Sequence, residues 1–337
     1  MSNNILVTRA TFTEVLDKLR AQFNVVDNQA DTLWLQTELI ARLQGKCGAI
    51  THGSDKIDAV LLNACPELKA VCNVGVGYNN IDVEACTQRG VLVTNTPDVL
   101  TETTADFGFA LLMATARRIA ESDRYVRARQ WQKTGVHDML LGADIHATTL
   151  GIFGMGRIGQ AIARRGAHGF NMRVIYHNRS RLNADVEQQC RADYVTKDAL
   201  FEQADHLIVV VPYSSSSHHA IGRVELQKMK KSATIINIAR GGVIDDAALA
   251  QALLDGDIAA AGLDVFEGEP NVRPDFLAIP NVVLTPHIGS ASIRTRLAMA
   301  LLAADNLLAV GGDIAAEIRP LTPINPEVLK YPLRLRA

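Results

Sequence analysis

The stretch TTLGIFGMGRIGQAIARRGAHGF, Thr148–Phe170, decides the fold of the central part of the chain. Its pattern predicts a β-strand, then a turn that carries Gly154, Gly156 and Gly159, then a helix. In such a turn the first glycine permits the sharp bend, the second lets backbone amides approach a pyrophosphate, and the third lets the helix pack on the strand. The helix N-terminus would then face the phosphates with its amides. Glycines also serve plain turns, but both flanks fit here, so we predict a dinucleotide site.

The residues after the next predicted strand bear on the choice of nicotinamide cofactor. An NAD site places Asp or Glu about 20 residues beyond the glycines, where it bonds the ribose hydroxyls. This chain has HNRSR at 177–181, with no acid. Arg179, Ser180 and Arg181 could instead hold a 2′-phosphate through charge-assisted hydrogen bonds. The alternative is a solvated basic loop. We expect NADPH to be preferred and NADH to be used more weakly.

Short β-rich runs alternate with helical patterns along most of the chain. This alternation predicts an α/β protein with two doubly wound parallel sheets, each covered by helices on both faces. A long helical pattern from about Thr101 to Trp131 separates the two series of strands. The predicted strands lie at 4–9, 24–27, 47–52, 68–74, 91–95, 148–153, 172–177, 206–211, 233–239, 259–266 and 281–287. A helix over 292–310 follows and could return to the first unit, which would make that domain discontinuous.

Composition excludes several classes of function. The formal net charge of −2 over 337 residues offers no electrostatic reason to expect nucleic acid or an anionic membrane as a partner. The apolar runs are strand-sized, so no segment is long enough to span a bilayer. The start MSNNILVTRA lacks the features of a signal peptide. Five cysteines without metal-like spacing predict reduced thiols. We expect a soluble, cytoplasmic protein.

Three polar residues stand at or just past the ends of predicted strands of the second series: Arg240, Glu269 and His287. Ligands of open α/β sheets bind at the carboxyl ends of the strands, so these side chains should converge. An arginine suits the carboxylate and carbonyl of a 2-oxo acid, and a histidine can exchange a proton with the carbonyl oxygen. A glutamate on the other ring nitrogen would orient the imidazole and favour its charged form. Taken singly, each residue is more often structural.

These residues lie in motifs that together resemble the D-isomer-specific 2-hydroxyacid dehydrogenases, in order through nearly the whole chain. The motifs are NVGVGYNNID, GMGRIG, INIARGGVIDDAAL, AGLDVFEGEP and TPHIGSAS. The resemblance implies that Arg240 holds the substrate, that Glu269 supports His287, and that His287 is the general acid/base. It also implies that the backbone around Val76 and Gly77 binds the substrate carboxylate. The cofactor-binding set that we expect is Thr104, Gly154, Met155, Gly156, Arg157, Ile158, Asn178, Arg179, Ser180, Arg181, Val211, Pro212, Ile238, Ala239, Asp264 and Gly289, with Asp264 reaching the nicotinamide amide.

The resemblance is strongest to the bacterial glyoxylate/hydroxypyruvate reductase branch, which includes 2-ketogluconate reductases. It implies a Rossmann-type NAD(P)-binding domain, 102–290 with its dimerisation helix and arm, inserted in a flavodoxin-like substrate-binding domain of 1–101 and 291–337. We therefore expect a homodimeric reductase of small 2-oxo acids that makes D-2-hydroxy acids. Trp131 and the segment 136–142 are candidates for the dimer contact.

Several other functions are weighed against this reading. A D-3-phosphoglycerate dehydrogenase-like activity shares the motifs, but no length remains for a regulatory domain. Phosphite-oxidising relatives carry a lysine where this chain has Val76. A nucleotide-sensing corepressor or scaffold could retain the same three polar residues. A metal at His218 and His219 is disfavoured, because adjacent histidines chelate poorly and no acid accompanies them in sequence.

Overall fold

The computed structural model describes residues 3–135, 137, 139–311 and 320–330, and the chain divides into two compact units. Unit 1 comprises Met1–Leu100 and Ser292–Ala337, and unit 2 comprises Thr101–Ala291. The strands of unit 1 are β1 (Asn4–Val7), β2 (Asn24–Asp27), β3 (Gly48–Thr51), β4 (Ala70–Asn73) and β5 (Leu92–Thr94). Its helices are α1 (Thr13–Arg20), α2 (Gln36–Leu43), α3 (Ala59–Ala64), α4 (Val83–Gln88) and, from the end of the chain, α13 (Ile293–Gly311).

Unit 2 continues the numbering in chain order. Its strands are β6 (Thr149–Phe153), β7 (Arg173–His177), β8 (Ala192–Tyr194), β9 (His206–Val209), β10 (Thr234–Asn237), β11 (Ala260–Leu263) and β12 (Val282–Leu284). Its helices are α5 (Thr101–Ala116), α6 (Ile119–Arg127), α7 (Arg157–Arg164), α8 (Ala184–Cys190), α9 (Lys197–Gln203), α10 (Arg223–Lys228), α11 (Asp246–Asp255) and α12 (Pro274–Ala278).

Both units contain a parallel sheet of the predicted kind. In unit 1 the strand order is β2-β1-β3-β4-β5, which is the flavodoxin-like order. In unit 2 it is β12-β11-β10-β9-β6-β7-β8, a Rossmann order with one added strand. Most of the strands, including β3, β4, β9, β10 and β11, are buried on both faces, which explains why they appear in the sequence as continuous apolar runs rather than as alternations. The predicted fold class is therefore confirmed, and the helix that was expected over 292–310 does belong to unit 1.

The sheet of unit 2 determines where a ligand can bind. Its strand order reverses between β6 and β9, which are neighbours in the sheet but are separated in sequence by β7 and β8. Helices on either side of such a reversal leave a crevice at the carboxyl ends of the strands. The glycine turn follows β6, and the expected catalytic residues follow β10, β11 and β12, so all of them lie at this one edge.

The single long helix predicted from about Thr101 to Trp131 is wrong. The structure has two helices, because α5 ends at Ala116, whose carbonyl oxygen accepts a hydrogen bond from the Ala143 amide at 2.8 Å. Arg118 then takes a left-handed conformation with φ of +51°, and α6 begins at the next residue. The apolar periodicity on both sides of this break gave no signal for it.

None of the helices in the described part of the chain combines the length and the apolar character that a membrane span requires.

Candidate active site

The turn between β6 and α7 packs as the glycine spacing predicts. Gly154 has φ of +107°, and a Cβ there would lie 2.8 Å from the Val210 carbonyl carbon on β9's continuation. A Cβ on Gly159 would lie 2.4 Å from the Gly154 carbonyl oxygen, so α7 packs this closely only because the residue has no side chain. Around Gly156, the N-cap of α7, no atom beyond its chain neighbours lies within 4 Å of a Cβ position. Packing thus accounts for two of the glycines and leaves open space beside the third.

The backbone amides of this turn differ in whether they already donate a hydrogen bond within the protein. Met155 N donates to the Asn178 side-chain oxygen at 2.6 Å, so these two residues brace the turn against the end of β7. The Gly156 and Ile158 amides donate to no residue that the structure describes. Unpaired amides at a helix N-terminus form an anion site, because the helix dipole adds a partial positive charge there.

In the basic loop after β7, one arginine forms an ion pair and the other has no polar partner among the described residues. Arg181 donates two hydrogen bonds, of 2.9 and 2.7 Å, to the Glu187 carboxylate. Tyr176 also donates to Glu187, at 2.7 Å, and these hydrogen bonds from Arg181 and Tyr176 lower the pKa of the Glu187 carboxyl. Arg179 and Ser180 are exposed, and neither contacts a polar partner within the described residues. Arg179 is therefore the cation of this loop that is free to meet an anion.

Thr104 lies further along the same edge. It lies in the first turn of α5, and its Oγ1 is buried without a hydrogen-bond partner in the described chain. A buried hydroxyl is normally paired, and the hydroxyls of Thr51, Thr94 and Thr96 share this exception, so Thr104 Oγ1 is open to a partner without identifying one. Val211 lies against the glycine turn, with its Cγ1 2.8 Å from the position of a Gly154 Cβ. Pro212 beside it is exposed, whereas Ile238 and Ala239 are buried after β10.

The turn that carries Arg240 is built by an asparagine that the sequence analysis did not single out. Asn237 is the last residue of β10 and is buried. Its side chain accepts a hydrogen bond from the Ala239 amide at 3.1 Å and donates to the Arg240 carbonyl at 3.4 Å. A Cβ on Gly241 would lie 1.8 Å from the Phe266 carbonyl oxygen, so this turn packs directly on the backbone after β11. The sequence feature that could have pointed to Asn237 is that it is a polar residue at the end of the apolar run ATII.

Arg240 lies within electrostatic reach of Glu269. Its Nη1 donates to the Ala239 carbonyl at 2.7 Å. Burial lowers the pKa of the Arg240 guanidinium, and the negative charge of Glu269 opposes this effect. A guanidinium remains protonated despite such a shift. Its other N–H groups have no partner among the described residues and can bind an oxyanion.

Glu269 and His287 form the predicted acid–imidazole pair. Glu269 Oε2 lies 2.7 Å from His287 Nδ1, and Glu269 Oε1 accepts a hydrogen bond from the Phe266 amide at 3.0 Å. Burial raises the pKa of Glu269, but the hydrogen bond and charge of His287 outweigh it, so the pKa lies below its ordinary value. The carboxylate is therefore the acceptor, and His287 Nδ1 is the donor. Nε2 of the half-exposed ring is then the position that can exchange a proton.

Asp264 holds the loop that carries His287. Its carboxylate accepts hydrogen bonds from Thr285 Oγ1 and the Ile288 amide, both at 2.8 Å, and from the Gly289 amide at 2.9 Å. Burial raises the pKa of Asp264 in spite of these three donors. Within this loop His287 has φ of +54°, a conformation that costs about 1–3 kcal/mol in a non-glycine residue and is concentrated at functional sites. Thr285 is a second residue that the sequence analysis did not identify.

In unit 1, the loop after β4 fixes its carbonyls and leaves its amides open. Asn95 donates to the Val76 carbonyl at 2.9 Å, and Asn73 donates to the Gly77 carbonyl at 3.0 Å. The amides of Val76 and Gly77 donate to none of the described residues. Two adjacent open amides are suited to a carboxylate.

The edge of the unit 2 sheet therefore fits a nicotinamide dinucleotide. It combines an open glycine, unpaired helix-terminal amides, an unpartnered buried hydroxyl at Thr104 and the free cation of Arg179. Of the predicted set, the glycine turn, Val211, Arg240, Asp264, Glu269 and His287 all lie at this edge. Arg181 and the amide of Met155 each have a hydrogen-bond partner within the protein, and their contacts with a cofactor stay a prediction.

Known proteins resemble this chain over its full length. Residues 109–289 match the family model for the NAD-binding domain of D-isomer specific 2-hydroxyacid dehydrogenases. A glyoxylate reductase of Thermococcus onnurineus is 44% identical over 98% of both chains. A glyoxylate/hydroxypyruvate reductase B of Yersinia pestis is 44% identical over 98% of this chain and 99% of its own.

A solved structure agrees with these relatives. The NADPH-dependent glyoxylate/hydroxypyruvate reductase of Sinorhizobium meliloti, in complex with NADP and malonate, superimposes with a TM-score of 0.82 at 36% identity, covering 100% of both chains. The matched domain is the one that contains the glycine turn and the Glu269–His287 pair. This chain therefore belongs to the D-isomer specific 2-hydroxyacid dehydrogenase family, a family of oxidoreductases that use a nicotinamide cofactor.

Proposed function

We propose that the chain is an NADPH-preferring reductase that converts small 2-oxo acids, chiefly glyoxylate and hydroxypyruvate, into D-2-hydroxy acids. 2-Ketogluconate is a further candidate substrate. The observation that carries the proposal is the Glu269–His287 pair with Arg240 beside it, at the same sheet edge as the dinucleotide turn. The relatives named as glyoxylate and hydroxypyruvate reductases support the choice of substrate class.

His287 is the proton donor in this proposal. When bound, the reduced cofactor supplies a hydride to the substrate carbonyl carbon. The carbonyl oxygen then needs a proton, and His287 Nε2 can deliver it because Nδ1 is committed to Glu269. The ionised Glu269 stabilises the charged imidazole before transfer and keeps the ring oriented afterwards. In the oxidative direction the same nitrogen takes the proton back.

Arg240 binds the substrate in this proposal, and the unit 1 loop is a separate candidate for binding a carboxylate. The N–H groups of Arg240 that have no partner in the described chain would hold the carboxylate and polarise the carbonyl, because a guanidinium matches two oxygens at once. The open amides of Val76 and Gly77 would also bind a carboxylate. Both interactions require an acid next to the carbonyl, which restricts the substrates to 2-oxo acids.

The preference for NADPH is proposed to depend mainly on Arg179. No acid follows β7 at 177–181, and Arg179 is exposed without a partner in the described chain. Arg181 is held by Glu187, so we assign it a smaller part than Arg179 and Ser180. The name and bound NADP of the Sinorhizobium meliloti relative support the same preference. The other residues of the expected cofactor-binding set are still proposed to contact the cofactor. Asp264 has a second role, because it positions the loop that carries His287.

We further propose that the chain forms a homodimer through α6. None of the described side chains of α6 is buried, and Ile119 and Val126 expose 53% and 52% of their surface. Trp131 and Leu141 add exposed apolar surface on the following segment, of which Val136 and Asp138 lie outside the described residues. Ile119 and Val126 lie seven positions apart and so on one face of α6, and exposed apolar surface that is continuous marks a protein interface. Light scattering on the purified chain tests this proposal, and a monomer at micromolar concentration contradicts it.

A coupled binding and turnover experiment tests the reaction. The loss of NADPH absorbance is followed with glyoxylate, hydroxypyruvate and 2-ketogluconate, and NADPH affinity is measured separately by fluorescence. We expect His287→Ala to lower kcat by about 10²–10⁴-fold with unchanged NADPH affinity, because general acid catalysis contributes that much. Arg240→Ala should lower kcat/KM for every substrate.

A matched control is His146→Ala, which removes an exposed histidine in another part of unit 2. Its kinetics should equal those of the native chain. Full activity after either His287→Ala or Arg240→Ala contradicts the assigned roles. Tight NADPH binding without turnover of any 2-oxo acid would instead indicate a nucleotide sensor.

A further inference from the structure

His218 and His219, in the loop after β9, meet a carboxylate that is distant in sequence. His219 Nε2 lies 2.5 Å from Glu267 Oε1, and the rings of the two histidines are stacked with their centroids 3.9 Å apart. One ligand atom from each of His218, His219 and Glu267 lies within 4.8 Å of the others. The sequence-based argument against a metal here rested on the adjacency of the two histidines and on the lack of an acid, and the tertiary structure supplies the acid.

The backbone of a neighbouring turn fixes this convergence. The His219 amide donates to the Gly242 carbonyl at 2.7 Å. Gly242 has φ of +79°, and a Cβ at this position would lie 3.4 Å from His218 Nδ1 and 3.6 Å from Glu267 Oε1. The nearest atom to that Cβ position is Tyr213 Cε2, at 3.0 Å, so the Tyr213 ring and the donor atoms border the space that the absence of a side chain at Gly242 leaves. Three loops, after β9, β10 and β11, contribute to the cluster.

We propose that His218, His219 and Glu267 bind a divalent transition-metal ion such as Zn²⁺. Imidazole nitrogens and a carboxylate oxygen are ligands of Zn²⁺ at about 2.0–2.2 Å, and three protein ligands plus water complete a tetrahedral shell. His219 and Glu267 expose 38% and 37% of their side chains, so small rotations can bring the donors to bonding distance. The ion replaces the His219–Glu267 hydrogen bond and links the loops after β9 and β11, while the loop after β10 supplies only the backbone of Gly242.

Within the described residues, no other group of three His, Cys, Asp or Glu side chains brings its ligand atoms this close together. All five cysteines are buried, and the proposed catalytic pair contributes a single histidine. Since the site does not include Arg240, Glu269 or His287, its test is independent of the reductase activity.

The test titrates Zn²⁺ alone into the full chain by calorimetry and by competition with a chromophoric chelator. We expect one site per chain and a rise in the unfolding temperature, because an ion that binds only the folded state stabilises it. His218→Ala and Glu267→Gln should each weaken Zn²⁺ binding at least about tenfold, since even residues that only support ligands change affinity by 10–100-fold.

Two controls keep the result specific. His168→Ala removes an exposed histidine of the same unit, and His287→Ala removes the histidine of the proposed catalytic pair; both should bind Zn²⁺ like the native chain. The proposal is overturned if His218→Ala and Glu267→Gln retain native affinity. It is equally overturned if His287→Ala abolishes binding, or if native binding does not exceed that of the His218→Ala/Glu267→Gln double variant.

Discussion

Substituting Gly156 by alanine should separate the cofactor role of the glycine turn from its structural role. Gly156 has φ of −77°, which alanine readily adopts, and its Cβ would meet no atom beyond its chain neighbours within 4 Å. Alanine is a poorer N-cap than glycine by about 1 kcal/mol, but it restricts the unfolded chain, which stabilises the fold by about 0.4–1 kcal/mol. These opposing effects leave the free energy of unfolding within about 1 kcal/mol of the native value.

The effect on cofactor binding should be much larger. The new methyl group would occupy the open space that we assign to the pyrophosphate, next to the unpaired amides of Gly156 and Ile158. A hydrogen bond to a charged acceptor contributes about 1.5–3 kcal/mol, so losing one weakens NADPH binding roughly 10- to 150-fold. Fluorescence titration with NADPH measures the affinity, and thermal unfolding without cofactor measures the stability.

Two other glycines supply the controls. Gly159→Ala should lose about 1–3 kcal/mol of stability through overpacking, since its Cβ would lie 2.4 Å from the Gly154 carbonyl oxygen. Gly169→Ala, at the end of the helical turn that follows α7, meets no atom within 4 Å and should change neither property. Native NADPH affinity in a correctly folded Gly156→Ala chain would refute the reasoning.

Three further predictions concern single side chains. Glu269→Gln should lower kcat roughly 10²-fold. Because the fold lowers the pKa of the Glu269 carboxyl, its contribution to stability is present above pH ~4.3 and is lost as the pH falls. Denaturation of the native chain and of the Glu269→Gln variant from pH 3 to 7 measures this contribution. Arg179→Ala should reduce kcat/KM about 10- to 100-fold for NADPH and little for NADH, and equal losses with both cofactors would contradict this. Glu187→Gln should raise the selectivity for NADPH, because it releases Arg181. Burial lowers the pKa of His52 to about 4, so the native chain should lose up to ~3 kcal/mol as the pH falls from ~6.5 to ~4, and His52→Gln should show a flatter profile.

Local features of the sequence were sufficient to predict the two sheets and the glycine turn. Buried parallel strands appear as short apolar runs, and glycine spacing reflects contacts between residues close in the chain, such as Gly154 with Gly159. The break between α5 and α6 could not be predicted in this way, because the Ala143 amide that ends α5 comes from 27 positions beyond Ala116.

The sequence by itself determined the fold class, the dinucleotide turn and the identity of Arg240, Glu269 and His287 as the residues at three strand ends. Only the tertiary structure decided which atoms meet: His287 Nδ1 with Glu269, Arg181 with Glu187, and Glu267 with His219. The physical reason is that strand and turn propensities act between near neighbours, whereas these pairs form only after parallel strands bring their carboxyl ends to one edge.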